Sequence, residues 1–353
     1  MAKHESPMTH DALLLISFGG PERPEEVMPF LKNVVRGKNV PPERLQEVAR
    51  HYELFDGFSP INAQNRALLA ALIGELNAHG PHLPVYWGNR NWHPLLTDTV
   101  GQMAEDGVRR ALALVTSAFG SYPGCRQYLE DIELARQEVG PAAPQIEKLR
   151  LFYNHPGFIE AMADCVAGAL DEVPAERRAA ARLIFTAHSI PVAMAERSPY
   201  QRQLREACRL VSELVQGGLF SRDPKGIAVP PVTWQLAYQS RSGPPSQPWL
   251  EPDIRDCVRQ LHAAGGVQDI VVVPIGFLAE HMEIIYDLDV EVGQLCEELD
   301  INMVRSAVAG NHPRFVRMIR ELILERIDPA APRLALGSAG PSSDVCPPEC
   351  CRS

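Results

Sequence analysis

Short apolar runs recur along this chain between longer stretches with helical periodicity. Four of them stand out, at residues 12–18, 111–115, 183–185 and 270–275. A run that is apolar on both faces is typical of a strand buried on both sides, and strands separated by helices pair in parallel. The pattern therefore predicts an α/β fold in which helices cover both faces of parallel sheets.

Three short motifs occur twice, in the same order, about half a chain apart. They are an Asn-His-Pro-x-Phe segment at 154–158 and 311–315, a strand end at 117–120 and 274–277, and a looser match of 86–90 with 238–243. We interpret them as a duplication rather than chance similarity. We therefore predict two similar doubly wound, Rossmann-like parallel-sheet domains with a central cleft: an N-terminal domain over residues 1–160, a C-terminal domain over 161–330, and a cysteine-containing tail, 331–353.

The composition excludes several classes of protein. The 353 residues carry a formal net charge of −10, which disfavours nucleic acid as a partner, and an anionic substrate would need a local cationic patch. No run approaches the length of a membrane span, and the polar N-terminus lacks an apolar signal core. We therefore expect a cytoplasmic monomer without stable membrane insertion. Eight cysteines in such a chain favour thiols or metal ligands over disulfides.

One histidine follows a predicted strand directly. His188 lies at the end of the run at 183–185, and Pro191 disfavours helix in the residue before it. Ligands in α/β sheets bind beyond the carboxyl ends of strands, and imidazole suits transition-metal binding or proton transfer near neutral pH. A hydrogen-bonded turn histidine is the alternative, and position favours the functional interpretation.

A row of carboxylates follows another predicted strand. Glu283, Asp287 and Glu291 are spaced i, i+4, i+8, so on a helix they form one line. Like charges at this spacing destabilise an isolated helix, but they suit a path for a divalent cation. The apolar residues between them disfavour the alternative, a fully solvated acidic face. With His188 they indicate metal handling.

The C-terminal tail carries three cysteines in six residues. Cys346, Cys350 and Cys351 form too short a segment for a core, and an iron–sulfur cluster takes four thiolates. Cys125, in a loop after a strand, is the best fourth ligand. Zinc or reactive thiols are alternatives. The other four cysteines lie in helical patterns and are expected to be small apolar core residues.

Taken together and in order, these motifs resemble the ferrochelatase family from residue 15 to about residue 324. The matching pieces are Ser-Phe-Gly-Gly-Pro at 17–21, Gly-Asn-Arg-Asn-Trp at 88–92, Thr-Ala-His-Ser-Ile-Pro at 186–191, Trp-Gln-Leu-Ala-Tyr-Gln-Ser-Arg at 234–241, Pro-Trp-Leu-Glu-Pro at 248–252, and 276–289. The resemblance implies a lyase that inserts Fe²⁺ into a porphyrin in haem biosynthesis.

The resemblance also implies residue roles. His188 and Glu283 would face each other across the porphyrin as metal ligands or proton acceptors, with Asp287 and Glu291 outside them on an iron route. The porphyrin contacts implied are Phe18, Arg36, Tyr52, Ser59 and Tyr128. Certain bacterial members are similar in using one internal and three C-terminal cysteines for a [2Fe–2S] cluster, which supports that cofactor here.

One departure from the pattern affects the product. Some members that use coproporphyrin place an iron-coordinating tyrosine in the loop after the first strand, where this chain has Phe18. The actinobacterial look of the N-terminal half and the tail favour coproporphyrin III, giving coproheme. Protoporphyrin IX, a cobalt or nickel chelatase, and a non-catalytic haem- or tetrapyrrole-binding protein are the alternatives.

Overall fold

The computed structural model describes residues 10–38, 40–222, 232–243, 246–346 and 350–351. The polar N-terminal residues 1–9 and tail residues 347–349 and 352–353, on which part of the sequence interpretation falls, lie outside this description. The strands are β1 Ala12–Ser17, β2 Val85–Asn89, β3 Arg110–Val115, β4 Gln145–Lys148, β5 Arg182–His188, β6 Trp234–Gln239, β7 Asp269–Val273 and β8 Asn302–Arg305.

Helices separate these strands. The α-helices are α1 Pro24–Val34, α2 Pro42–Glu53, α3 Ile61–His79, α4 Leu96–Glu105, α5 Gln127–Val139, α6 Pro156–Glu172, α7 Val192–Glu196, α8 Tyr200–Arg222, α9 Ile254–Ala264, α10 Met282–Ile284, α11 Gly293–Glu298 and α12 Pro313–Ile327. Two π-helical segments, Tyr122–Arg126 and Ile285–Val292, precede α5 and α11, and Arg178–Ala180 forms a 3₁₀ turn.

The strands form two parallel sheets with the same order. One sheet is β2-β1-β3-β4 and the other is β6-β5-β7-β8. In each sheet the chain starts at an inner strand, moves to one edge and then crosses to the other side, which creates a point where strand order reverses. The predicted class, two similar parallel α/β units, is confirmed.

Alternating side chains of the strands serve different cores, as the period of two requires. In β1, Leu13 and Leu15 join a large apolar core that continues through α3, α6, α8 and α12 to the second sheet. Leu14 and Ile16 point the other way, into a core closed by α4 and α5. The two sheets thus share their inner core and keep separate outer ones.

The repeated Asn-His-Pro motif forms the same local structure twice. His155 and His312 are the N-cap residues of α6 and α12, and the Nδ1 atom of each accepts a hydrogen bond from the backbone N–H two residues later. A proline at the first helical turn follows in both, where its missing N–H costs nothing. The duplication inferred from sequence is therefore visible in the caps as well as in the sheets.

The halves are linked by helices rather than by one hinge. Helix α6 packs against α8 and α12, and α12 packs in turn against α3 of the first half. The predicted boundary at residue 160 lies within α6. In the described part of the chain, no helix has both the length and the apolar character needed to cross a membrane.

Candidate active site

His188 is the last residue of β5, as predicted from the apolar run before it. Its carbonyl accepts a hydrogen bond of 3.0 Å from the Tyr200 hydroxyl, and its Nδ1 lies 2.5 Å from the carbonyl oxygen of Ser189. A carbonyl oxygen only accepts, so Nδ1 carries the proton and Nε2 presents its lone pair. The ring is about one-third exposed, which leaves Nε2 accessible.

A glycine brings the loop after β7 against the end of β5. A Cβ on Gly276 would lie 2.7 Å from the Cα of Ala187, a distance that only glycine permits. The backbone N–H of Gly276 also donates to the carbonyl of Thr186 at 3.0 Å. This close approach carries the next helix, with Glu283, to the strand end that holds His188.

Glu283 lies beside His188. His281 caps the helix through a 3.2 Å hydrogen bond from the Glu283 N–H to its Nδ1. The Glu283 Oε2 atom is 3.8 Å from the His188 Nε2 atom, and its side chain is half exposed. The two groups form one small site at the junction of β5 and α10.

The distance between these two side chains bears on how they could meet a macrocycle. Atoms stacked on the two faces of a planar ring each stand roughly 3.5 Å from it, so groups on opposite faces are at least about 7 Å apart. His188 and Glu283 are 3.8 Å apart and both come from the C-terminal half. In this structure they are therefore closer together than two groups on opposite faces of one macrocycle would be.

The carboxylate row lies on a wider helix than its spacing suggested. After α10 the chain forms a π-helix, Ile285–Val292, with i→i+5 hydrogen bonds. Residues four apart still lie nearly above one another. The adjacent face is core, since Ile284, Leu288 and Val292 are fully buried. The row is thus one edge of an amphipathic helix.

Asp287, the middle carboxylate, is the most perturbed. Its Oδ2 accepts a short hydrogen bond from the Ser240 hydroxyl and a 3.4 Å bond from the Gln239 side-chain amide. Burial, reinforced by the neighbouring charges of Glu283 and Glu291, raises the pKa of Asp287 to about 7 despite the Ser240 bond. A carboxyl with this pKa exchanges a proton at neutral pH.

Glu291 ends the row near the surface. Its Oε2 lies 3.4 Å from a guanidinium nitrogen of Arg255, which also binds Asp253 at 3.0 Å. Beside it, the rings of His51 and Tyr286 stack with centroids 3.7 Å apart. This contact joins α2 of the first half to the π-helix of the second.

The first half supplies an apolar wall next to Glu283. Phe30 is the centre of an edge-to-face cluster, with ring centroids 6.2 Å from both Phe18 and Tyr52. Met282, the residue before Glu283, is buried in the same cluster. Burial and the Glu283 charge raise the pKa of Tyr52, so its hydroxyl stays protonated. Phe18 and Tyr52 therefore lie in one cluster, near Glu283.

The other implied porphyrin contacts are more scattered. Ser59 is buried, and its N–H donates to the carbonyl of Pro21 in the loop after β1. Arg36 is exposed at the end of α1 and donates to Asn33 at 3.0 Å. Tyr128 is buried within α5, and the Arg90 guanidinium covers its ring. The ring therefore lies in the outer core of the first half.

Sequence reasoning did not assign roles to Arg90 and Trp92, which lie within a quoted motif. The Arg90 guanidinium lies 4.8 Å above the Tyr128 ring and 3.1 Å from Asp131. The Trp92 indole N–H donates to Glu26 at 2.9 Å. Both side chains orient the loop after β2. The motif at 88–92 was the sequence signal that could have identified them. Ser240 and Gln239, which bind Asp287, were missed in the same way.

The tail returns to the loop after β3 and gathers the four predicted cysteines as two pairs. The Cys125 and Cys346 sulfurs are 4.0 Å apart, and those of Cys350 and Cys351 are 3.5 Å apart. Two thiolates on one tetrahedral metal ion, each at about 2.3 Å, stand roughly 3.8 Å apart. Within the residues that the structure describes, no three His, Cys, Asp or Glu side chains converge on one metal position.

The pairs are electrostatically uneven. A hydrogen bond to Cys346 and burial raise the pKa of Cys125, while the same bond lowers the pKa of Cys346. Burial and the Cys350 neighbour raise the pKa of Cys351 to about 12. Within the Cys125–Cys346 pair, Cys346 is therefore the thiol that ionises more readily. The four helical cysteines behave as predicted, since Cys208, Cys257 and Cys296 are buried and Cys165 is half-buried in α6.

Comparison with known proteins identifies the family of this chain. The ferrochelatase family model matches residues 10–327. A ferrochelatase from Rhodopirellula baltica is 52% identical, covering 97% of this chain and 93% of that protein. A coproporphyrin III ferrochelatase from Streptomyces coelicolor is 49% identical, with the same coverage. SirB from Bacillus subtilis with Fe³⁺ shares the fold, with a TM-score of 0.51 at 14% identity over 93% of this chain and 99% of that one. The chain therefore belongs to the ferrochelatase family, the chelatases of the lyase class that insert ferrous iron into a porphyrin.

Proposed function

We propose that this enzyme inserts Fe²⁺ into coproporphyrin III and releases coproheme in haem biosynthesis. The observation that carries the chemistry is the His188–Glu283 pair, 3.8 Å apart, at the head of a carboxylate row and beside an apolar wall. The choice of coproporphyrin rests on the names of relatives such as those from Streptomyces coelicolor and Nocardia farcinica, 49% and 52% identical. A cytoplasmic monomer stays the prediction made from sequence.

The reaction removes two protons from pyrrole nitrogens and places Fe²⁺ between them. With Nδ1 protonated, His188 offers only Nε2 to the substrate. That lone pair faces the Glu283 carboxylate at 3.8 Å, so the two acceptors together hold either a proton or a ferrous ion between them. Because both act on one face, the second face of the macrocycle is left to the apolar wall.

Asp287 connects this pair to the surface. Its pKa of about 7 lets it take a proton from the Glu283 side and return it at neutral pH. Glu291, held by Arg255 at 3.4 Å, is the outer end of the row. Oxygen ligands of this kind bind a hydrated divalent cation without trapping it, and a nitrogen ligand follows at the inner end. The carboxylate row therefore carries protons from the His188–Glu283 pair to the surface and ferrous ions from the surface to the pair.

The apolar wall binds the macrocycle. Phe18 is the partly exposed ring of this wall, and Phe30 and Tyr52 are buried behind it, next to Met282. Phe18 carries no oxygen, so no tyrosinate at that position ligates the product iron. Binding energy from this wall can offset the cost of bending the macrocycle, which exposes the nitrogen lone pairs to the incoming metal.

The proposal is tested by anaerobic insertion assays with purified protein, Fe²⁺, and coproporphyrin III or protoporphyrin IX offered separately. We expect faster insertion into coproporphyrin III. Faster insertion into protoporphyrin IX would overturn the substrate and keep the chemistry. Failure with both porphyrins, in folded protein, would favour the non-catalytic tetrapyrrole-binding alternative.

We further propose that Cys125, Cys346, Cys350 and Cys351 hold a [2Fe–2S] cluster. Their arrangement as two pairs, 4.0 Å and 3.5 Å between sulfurs, suits two metal positions better than the single position of a zinc site. Such a cluster supplies one-electron redox chemistry. The thiols themselves tie the tail to the loop after β3, beside Lys148, whose charge favours thiolates at Cys125 and Cys346.

The cluster is tested by isolating the protein without oxygen and measuring iron, acid-labile sulfide and visible absorption. We expect about two irons and two sulfides per chain. Cys346→Ser should lose them, and Cys296→Ser, which removes a core thiol, should retain them. Zinc without sulfide, or no metal at all in the wild type, would contradict the assignment.

A further inference from the structure

A cavity lies beside α8, next to residues 338–339 of the returning tail. Its volume is about 750 Å³, within the range of small-molecule sites. Helix α8 supplies one wall. Tyr153, in the segment after β4, and Trp234, at the start of β6, supply aromatic side chains, and tail residues 338–339 form the rim. None of its lining residues belongs to the active site.

The cavity is cationic in a protein with a net charge of −10. Arg202, Arg205 and Arg209 line it from successive turns of α8, against a single acid, Glu206. Arg209 is bound by Glu206 at 2.8 Å and by Glu213 at 2.5 Å. For Arg202 and Arg205 the described residues provide no hydrogen bond or ion pair, so two guanidinium groups are available to a ligand. This is the local cationic patch that an acidic protein needs to bind an anion.

The cavity also has aromatic walls with unused polar atoms. The Trp234 ring is held edge-to-face against buried Phe185, with centroids 5.9 Å apart. Tyr153 also lines the cavity. Among the residues described, neither the Trp234 indole N–H nor the Tyr153 hydroxyl has a hydrogen-bond partner. Arginines beside aromatic faces are suited to stack on a flat ring system while binding its charged groups.

We infer that this cavity is a binding site for a planar aromatic ligand with two or more carboxylate or phosphate groups. The guanidinium groups of Arg202 and Arg205 bind the anionic groups, and Trp234 and Tyr153 contact the ring. Both a porphyrin carboxylate and a nucleotide have this chemistry, and the experiment below separates them. The inference stands whether or not the active-site proposal is correct.

The rim of the cavity belongs to the cysteine-bearing tail. Asn154, buried at the start of the α6 cap, donates to the carbonyls of Leu336 and Gly340 at 3.1 and 2.9 Å and accepts from the Leu336 N–H. Arg333, before this loop, and Asp344, after it, form an ion pair of 2.8 Å. A ligand that contacts residues 338–339 therefore stabilises the docked tail, and docking of the tail strengthens ligand binding by the same factor.

The test compares wild-type protein with Arg202→Ser/Arg205→Ser, using coproporphyrin III and ATP as separate probes in equilibrium dialysis and calorimetry. Arg109→Ser/Arg259→Ser removes the same charge from exposed positions and is the matched control. For at least one probe, we expect the cavity variant to bind one equivalent fewer, or about tenfold more weakly, than wild type and control. Because the comparison is a difference, a porphyrin bound in the active site does not affect it.

Trp234→Leu separates a specific site from general attraction to positive charge. We expect it to weaken the same probe with all arginines in place, and saturating probe to slow amide exchange at residues 336–340 in wild type. Equal binding of both probes by wild type and the cavity variant would overturn the site. Loss with the arginine variant but not with Trp234→Leu would overturn the aromatic assignment, and unchanged exchange would overturn the link to the tail.

Discussion

The two halves of the molecule have the same frame and different chemistry. Each has a four-stranded parallel sheet in the same order, and each ends with a helix capped by an Asn-His-Pro segment. Asn89 in β2 and Tyr238 in β6 occupy matching positions, because the backbone N–H of each donates to a proline carbonyl, that of Pro94 or Pro252. These matches allow residues to be compared one by one.

When the two sheets are aligned by these matching residues, Phe18 and His188 occupy equivalent positions. The sheet partner of Asn89 directly precedes Phe18, and the sheet partner of Tyr238 directly precedes His188. The first half therefore has the apolar ring of Phe18 at the position where the second half has the imidazole of His188. In the proposed mechanism, this position contributes to the wall for the macrocycle in one half and is a proton or metal acceptor in the other.

The helix after the third strand differs in the same way. Ser121 caps it in the first half and His281 in the second, and both helices contain a π-helical segment. In the first half this segment carries Cys125, which faces the tail. In the second half it carries the carboxylate row with Asp287. The comparison teaches that topology provides the positions, and the side chains placed there decide the chemistry.

The largest expected effect is on the rate of iron insertion, when the equivalent residues His188 and Phe18 are replaced. His188→Ala should lower kcat for iron insertion by about 10²- to 10⁴-fold, because it removes the acceptor beside Glu283. Phe18→Ala should mainly raise KM, because it shortens the wall. His262→Ala, on the exposed face of α9, is the control and should keep wild-type rates. Near-normal kcat in His188→Ala, with Phe18→Ala inactive, would reverse the roles of the two halves.

The next effect tests the electrostatics of the second half. The folded pKa of Asp287, about 7, lies above its ordinary 3.8, so ionised Asp287 costs stability. The cost is absent below about pH 4, grows as the unfolded chain ionises, and is complete above pH 7. Asp287→Asn should therefore be more stable than wild type by about 2–4 kcal/mol at pH 8 and by less at pH 5.

Urea unfolding at both pH values measures this difference. Glu297→Gln, on the exposed side of α11, removes a carboxylate without burial and should shift neither midpoint. A stability gain in Asp287→Asn that is the same at pH 5 and pH 8 would mean that ionisation of Asp287 is not its cause.

The smallest effect compares the two copies of the repeated cap. Asn154 is fully buried and binds the tail, whereas Asn311 at the matching position is exposed. Asn154→Ala should cost about 1–3 kcal/mol because it leaves buried tail carbonyls unpaired. Asn311→Ala should stay within about 0.5 kcal/mol of wild type. Equal costs in thermal or urea unfolding would show that the tail contacts contribute little.

Much of the fold could be predicted from local pattern. The apolar runs that became β1, β3, β5 and β7 are buried on both faces, and this is the pattern that sequence reveals most clearly. None of the four edge strands, β2, β4, β6 and β8, was predicted. Strands β4 and β8 are short, polar and only partly buried, so their pairing depends on the neighbouring strand rather than on their own hydrophobicity.

The sequence by itself determined the duplicated α/β frame, the positions of His188 and the carboxylates at strand ends, and the candidate cysteines, because each depends on residue type and spacing along the chain. Only the tertiary structure decided that His188 and Glu283 lie 3.8 Å apart, that the carboxylates lie on a π-helix, and that the tail returns over Asn154. These features depend on contacts between segments far apart in sequence, and such contacts follow from packing of the whole molecule rather than from local pattern.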